Sequence, residues 1–136
     1  MFVPDRLTET LRREPQILVA YLFGSRARGE HRERSDYDVA ILTTDRFSFR
    51  DRMRLAGDLA VAVGRRVDLV QLNNTAPLIA YEVVRGGLPL LVRDENVLNE
   101  FERKAFLRYC DTRTLRAVQD GYVRARATRR LGGSQA

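Results

Sequence analysis

The chain has 136 residues, of which 44% are hydrophobic and 31% charged, and this composition predicts one globular domain with its own core. The single Cys110 excludes an internal disulfide and a cysteine-rich metal site, and no apolar run approaches the roughly 20 residues of a membrane span. Residues 101–136 supply the whole net charge of +6, because residues 1–100 carry 15 arginines against 15 acidic side chains. We expect a cytoplasmic protein with a basic C-terminal end.

The first part of the chain predicts a helix followed by two strands. Residues 4–14 have apolar side chains at helical spacing, and Pro15 ends that helix. The continuous apolar run at residues 17–23 predicts a buried strand that stops at Gly24. After a highly charged loop, residues 36–42 predict a second strand.

A second helix and a third strand are predicted next. Ser48 and Asp51 have the spacing of a capping box, and Gly64 is a typical helix end. Residues 66–72 then predict a strand. The helix is expected to bury one apolar stripe, consisting of Phe49, Met53, Ala56, Ala60 and Val63.

The rest of the chain predicts a helix, a short strand and further helical sequence. Pro77 begins a helix that Gly86 closes. Residues 88–92 predict a strand, and Pro89 places it at an edge of the sheet because proline lacks the backbone N–H donor. From residue 94 onward, apolar residues recur at helical spacing.

Strands that alternate with helices predict an α/β fold, with one mixed sheet packed by helices in a single small domain. We expect a core over residues 1–93 and a C-terminal helical extension over residues 94–131. That extension would pack on the core, on a partner, or on both. Residues 132–136 are expected to be a frayed tail.

Two carboxylates at the start of the second strand indicate metal chemistry. Side chains alternate along a strand, so Asp36 and Asp38 share one face while Tyr37 lies on the other. Asp68 joins them if the third strand neighbours the second. Two like charges about 4 Å apart cost about 4 kcal/mol at an effective dielectric near 20, so such a cluster needs a cation. Oxygen ligands without His or Cys favour Mg²⁺; the alternative is a set of surface charges.

The turn that precedes the charged loop has the features of an anion site. Gly24 lets the backbone approach a ligand closely, and Ser25 with the following amides can bind phosphate at a helix start. Arg26 and Arg28 add positive charge, with a solvated surface position as the alternative for each. Combined with the carboxylates, the turn predicts a site for a nucleoside triphosphate bridged by Mg²⁺.

These residues resemble a known family. Gly24-Ser25, ten intervening residues and Asp36-x-Asp38 match the signature of the DNA polymerase β-like nucleotidyltransferase superfamily. The string GSRARGEHRERSDYDVAIL is similar to its minimal nucleotidyltransferase (MNT) branch, and VDLV at residues 67–70 matches the strand of the third carboxylate. The stretch FERKAFLRYCDTRTL is similar to the helix that closes many MNT proteins.

The resemblance implies a fold, an activity and a partner. The implied fold is the polymerase β-like nucleotidyltransferase palm. MNT proteins often serve as the antitoxin of a type VII toxin–antitoxin module, in which they transfer AMP from ATP to a tyrosine of a HEPN-domain ribonuclease and silence it. At 15.6 kDa, we do not expect this chain to include the second substrate domain of antibiotic-modifying relatives. The acceptor would therefore come from the partner, in a hetero-oligomer.

The resemblance also implies roles for residues at matching positions. Asp36 and Asp38 would bind two Mg²⁺ ions, and Asp68 would complete the catalytic metal site nearest the attacking hydroxyl. The implied nucleotide ligands are Gly24, Ser25, Arg26 and Arg28.

Two other functions remain open. The first is a nucleotidyltransferase that acts on a small molecule or an RNA end, with the basic C-terminal segment holding the RNA backbone. The second is a non-catalytic module that blocks its toxin sterically. Nucleic acid is therefore an open but not favoured partner, and no membrane is expected.

Overall fold

A four-stranded mixed sheet forms the centre of the described part of the chain, residues 3–29 and 36–111 of a computed structural model. The second strand runs antiparallel to the first and parallel to the third, and the fourth is antiparallel to the first. The prediction of one mixed sheet is confirmed, with the fourth strand at an edge as Pro89 indicated. In spatial order the strands are β3 (Val67–Gln71), β2 (Tyr37–Thr43), β1 (Ile17–Phe23) and β4 (Leu88–Val92).

Helices cover both faces of this sheet. The first two pack against each other and on one face, whereas the last two pack against each other and on the opposite face. The helices in the described residues are α1 (Asp5–Arg12), α2 (Phe49–Val63), α3 (Pro77–Gly86) and α4 (Glu95–Tyr109), with a 3₁₀ turn at Leu72–Asn74. The predicted α/β class is therefore confirmed. Among residues 3–29 and 36–111, no helix combines the length and the apolar composition needed to cross a membrane.

The central strand β1 is apolar throughout because both of its faces are covered. Ala20 and Leu22 pack in the cluster below α1 and α2, while Val19 and Tyr21 pack in the cluster below α3 and α4. All four side chains are at most 1% exposed. A strand that is buried on both faces has no polar side to alternate with, which explains the unbroken run in the sequence.

Helix α2 begins and ends as predicted, but only part of the predicted stripe, including Ala60 and Val63, packs against the core. Its capping box is complete: the Asp51 N–H donates to Ser48 Oγ (3.1 Å) and the Ser48 N–H donates to Asp51 Oδ2 (2.8 Å). The prediction that Phe49 and Met53 face the core is wrong, because they are 65% and 58% exposed. Two leucines one turn apart, Leu55 and Leu59, fill the core instead and set the rotation of the helix.

Helix α4 is attached to the sheet and to α3 by its aromatic and polar side chains. The Tyr21 hydroxyl of β1 donates a hydrogen bond to Glu102 Oε2 (2.8 Å), and burial raises the pKa of that hydroxyl. Tyr109 stacks on Tyr81 of α3 with ring centroids 3.6 Å apart. The boundary at residue 93 between the core and the C-terminal extension stays a prediction. The expected helix over residues 112–131 and the frayed tail at 132–136 lie outside the described residues.

Candidate active site

The strand β2 places two carboxylates at one end of the sheet. Asp36 directly precedes the strand and is exposed, and Asp38 is half-buried. Tyr37 lies between them and points into the core, where it is 5% exposed. The period-two alternation therefore holds, and both carboxylates lie on the side opposite the Tyr37 ring.

Asp68 of β3 lies beside Asp38. The two residues are register partners in the parallel pair of β2 and β3. Adjacent strands are about 4.8 Å apart, so side chains at paired positions are direct neighbours on one face. Two residues further along, Ala40 and Val70 pack in the cluster below α3 and α4, which identifies the face that the carboxylates share. Strand β3 therefore neighbours β2, which is the condition under which Asp68 was predicted to join Asp36 and Asp38.

Gly24 brings the turn after β1 against the same carboxylate. Its φ of +74° lies in the left-handed region, and Phe23, just before it, pairs with Asp38 across β1 and β2. A Cβ at position 24 would overlap Asp38 Oδ2 and lie 3.1 Å from its Cγ. Only glycine permits this approach, so the turn and the carboxylate form one site.

The turn itself is compact and partly open to solvent. The Arg28 N–H donates to the Gly24 carbonyl (3.2 Å), and the Gly29 N–H donates to the Arg26 carbonyl (3.4 Å). Gly24 and Ser25 are half-buried, and Arg28 is exposed. Residues 30–35, which complete the loop, lie outside the described part of the chain. Binding of a nucleotide by this turn stays a prediction.

The two arginines of the turn occupy different surroundings. The Arg26 side chain is 9% exposed, and its guanidinium carbon lies 3.9 Å from the centroid of the Tyr37 ring. Arg28 is close enough to Asp38 for its charge to act on that carboxylate. The implied role of both arginines as nucleotide ligands stays a prediction. The contact of Arg26 with Tyr37 was not predicted, although the alternation of side chains placed Tyr37 on the face opposite the carboxylates.

Neighbouring negative charges surround Asp38. Burial raises the pKa of its carboxyl group, the charges of Asp68 and Asp36 raise it further, and Arg28 opposes them. The charges of all three carboxylates thus act on one another at this end of the sheet. Their oxygen donors suit a hard divalent ion such as Mg²⁺.

The raised pKa of Asp38 predicts a pH-dependent cost to folding in the absence of metal. The native state holds the Asp38 proton more tightly than the unfolded state, so the free energy of unfolding falls as pH rises through the raised pKa. We expect Asp38→Asn to be more stable than wild type at neutral pH in EDTA. The difference should vanish below the ordinary aspartate pKa of about 3.9.

Urea denaturation across this pH range measures the effect, with the exposed Asp45→Asn as a surface control. A metal-free Asp38→Asn protein that is less stable than wild type at pH 7 would contradict the electrostatic interpretation.

The spacing of the described carboxylates does not by itself form a metal site. Among residues 3–29 and 36–111, no three acidic, cysteine or histidine side chains have the spacing of a metal site. Asp68 Oδ1 instead lies 3.3 Å from Nε of Arg66, which precedes β3. Arg66 was also missed, although residues two apart on an extended chain share a face, which could have placed it beside Asp68.

A groove of about 600 Å³ lies between α1 and α2. Its charged side chains include Glu14 and Asp58, which lie 2.6 Å and 3.6 Å from the guanidinium of Arg54. These charges neutralise one another, and the groove contains none of the residues singled out from the sequence. The carboxylate end of the sheet is therefore the stronger candidate for a catalytic site.

Comparisons with known proteins agree on the family. Residues 5–96 match the family described as "Polymerase beta, Nucleotidyltransferase". A Methanocaldococcus jannaschii protein named as a candidate protein adenylyltransferase is 32% identical over 72 residues, which are 53% of this chain and 77% of the relative. The protein adenylyltransferase MntA of Aphanizomenon flos-aquae is 26% identical over 103 residues, 68% of this chain and 69% of the relative.

Solved structures extend the similarity to most of the chain. A toxin–antitoxin crystal structure with AMP-PNP has a TM-score of 0.74 at 28% identity, and covers 91% of this chain and 98% of its own. A complex of tri-AMPylated Shewanella oneidensis HEPN toxin with MNT antitoxin has a TM-score of 0.67 at 27% identity, with coverage of 90% and 93%.

Proposed function

The chain belongs to the polymerase β nucleotidyltransferase family, as its motifs indicated, and from this we propose that it transfers AMP from ATP to a tyrosine of a HEPN-type toxin and thereby neutralises it. One observation carries the proposal: Asp38 lies between its register partner Asp68 and the Gly24 turn. Carboxylates for a cation and a turn for phosphates thus meet at one place. The HEPN-type acceptor protein is proposed from the tri-AMPylated toxin in the similar Shewanella oneidensis complex, and the tyrosine from the family resemblance.

The proposed cofactor is Mg²⁺, with two ions expected, and Asp36, Asp38 and Asp68 are the residues that would hold it. When bound, it would neutralise the phosphate charge and polarise the α-phosphate of ATP. The protein contributes oxygen donors on two adjacent strands, which fixes their spacing through the sheet register. The Gly24 and Ser25 turn would receive the triphosphate beside them.

The proposed reaction is an in-line displacement at the α-phosphorus. The tyrosine oxygen forms a bond to that phosphorus, the bond from phosphorus to the bridging oxygen of the β-phosphate breaks, and pyrophosphate leaves. The hydroxyl proton passes to a base on the attacking side, a role proposed for Asp68 because the family resemblance places it nearest the attacking hydroxyl. Arg28 would stabilise charge on the phosphates as they separate.

A second protein is part of this proposal because the acceptor tyrosine must enter the site. The structural relatives with TM-scores of 0.74 and 0.67 are toxin–antitoxin complexes, so we propose a hetero-oligomer with a HEPN-type toxin. The proposed compartment is the cytoplasm, where ATP and a ribonuclease target are both present. The exposed apolar side chains of α4, Phe106 and Leu107, are available for such an assembly.

The proposal is tested by incubating the protein with Mg²⁺, ATP labelled at the α-phosphate and the product of the adjacent gene. We expect label on a tyrosine of that product and loss of its ribonuclease activity. Absence of label, together with neutralisation that survives Asp36→Ala and Asp38→Ala combined, would instead select a non-catalytic antitoxin. Label on added RNA or on a small molecule would select a different acceptor.

Arg66 is predicted to compete with the metal for Asp68. The ion pair spans 3.3 Å between side chains that are 75% and 45% exposed, and such pairs are worth about 0–1 kcal/mol. We expect Arg66→Gln to lower the Mg²⁺ concentration at half-maximal binding by about two- to fivefold. Calorimetric titration measures this, with Arg65→Gln as the neighbouring control. A weaker Mg²⁺ affinity in Arg66→Gln would show that the arginine supports the site.

A further inference from the structure

The side chain of Arg26 folds back onto the strand that carries the carboxylates. Its guanidinium carbon lies 3.9 Å from the Tyr37 ring centroid, and the two residues are 9% and 5% exposed. Arginine is rarely buried to this degree without a specific contact. A guanidinium over an aromatic face is held more strongly when water is excluded, as it is here.

This stack connects the two halves of the proposed site. Arg26 lies in the turn between Gly24 and Gly29, whereas Tyr37 opens β2 between Asp36 and Asp38. The Tyr37 ring is fixed in the core, and its backbone N–H donates to the carbonyl of Arg66 (3.0 Å). Arg26 therefore attaches the turn to the point at which both carboxylates leave the sheet.

The stacked residues lie at positions that the family motifs leave unspecified. In the signature of Gly24-Ser25, ten intervening residues and Asp36-x-Asp38, Arg26 is the first intervening residue and Tyr37 is the x. Gly24 already holds the turn against Asp38 on one side. The stack adds a second attachment two residues further along, and two attachments fix the orientation of a turn that one would leave free to rotate.

We propose that Arg26 is a positioning residue, whose stack on Tyr37 holds the 24–29 turn in the conformation that receives the triphosphate. The inference rests on the proposed function for the identity of the ligand. It differs from the role implied by the family resemblance, in which Arg26 would contact the nucleotide. A direct ligand acts independently of Tyr37, whereas a positioning residue loses its effect when either member of the stack is removed.

The stack is tested first without nucleotide, by NMR-detected amide exchange. The informative amides are those of Arg28 and Gly29, which donate within the turn. We expect Arg26→Met and Tyr37→Leu each to accelerate their exchange about tenfold, with little further change in the double variant. Tyr37→Phe, which keeps the ring, should stay within about twofold of wild type. If Tyr37→Leu fails to fold, Arg26→Met and Tyr37→Phe still give the comparison.

Calorimetric binding of AMP-PNP with Mg²⁺ then tests the consequence for the ligand. We expect the dissociation constant to rise about tenfold in each single variant. The double variant should show the same tenfold rise and no further increase. If Arg26→Met weakens binding but Tyr37→Leu does not, Arg26 is a direct ligand and the inference is overturned. Unchanged amide exchange in the two single variants would also overturn it. Failure of the wild type to bind AMP-PNP would overturn the proposed function, and this inference with it.

Discussion

Asp38→Asn is expected to lower the rate of AMP transfer about a thousandfold. Asp38 lies at the centre of the proposed site, since it pairs in register with Asp68 and contacts the Gly24 turn. Replacing its charge removes a cation ligand and the electrostatic stabilisation that depends on it, and losses of roughly 100- to 1,000-fold are typical when one such group is removed. Initial rates of label transfer to the partner tyrosine measure the effect.

The loss can be separated from unfolding. Because the pKa of Asp38 is raised by burial and by Asp68 and Asp36, the neutral Asn should stabilise the metal-free fold at pH 7. An inactive but more stable variant is the expected combination. Asp45→Asn, an exposed change on another loop, should leave the rate within about twofold of wild type. A rate in Asp38→Asn within threefold of wild type would remove Asp38 from the catalytic site.

Gly24→Ala is expected to lower the rate of AMP transfer by about 100-fold and to weaken the fold. The new methyl group would overlap the Asp38 carboxylate, and the φ of +74° would cost about 1–2 kcal/mol for an L-residue. Displacing Asp38 or the turn by about 1 Å is enough to lose roughly 100-fold in rate. Relief of the overlap by movement of the strand would add about 1–3 kcal/mol of destabilisation.

Gly64→Ala, at the end of α2 and outside the proposed site, is the matched control for this change. Its φ of +69° imposes a similar backbone strain, but a Cβ there meets nothing within 4 Å. We expect about 1–2 kcal/mol of destabilisation from the strain and transfer at close to the wild-type rate. Chemical denaturation and the label-transfer assay measure both variants. Equal rates in the two alanine variants would show that the approach of Gly24 to Asp38 has no catalytic importance.

Much of the site could be predicted because strand geometry constrains it. The alternation of side chains places Asp36 and Asp38 opposite Tyr37 whatever the rest of the fold does. Two further features depend on tertiary structure. Strand β3 must lie beside β2, and the register of the two strands must place Asp68 opposite Asp38. The sequence could state the first only as a condition, since the pairing of distant strands is not encoded locally.

Side-chain placement was harder to predict than secondary structure. The ends of α2 follow from Ser48, Asp51 and Gly64, but its rotation depends on competition between apolar side chains for the same space. Leu55 and Leu59 are buried in the core, whereas Phe49 is exposed. The stack of Arg26 on Tyr37 and the ion pair of Arg66 with Asp68 have the same origin. Each is a choice of rotamer made by neighbours that the local sequence does not identify.

The most direct test of the carboxylate site is Mn²⁺ binding, followed by electron paramagnetic resonance with and without AMP-PNP. We predict that wild type binds Mn²⁺ more tightly when the nucleotide is present, and that Asp38→Asn loses this gain while Asp45→Asn keeps it. Equal Mn²⁺ and AMP-PNP binding by wild type and Asp38→Asn would contradict the assignment of metal and triphosphate to this end of the sheet.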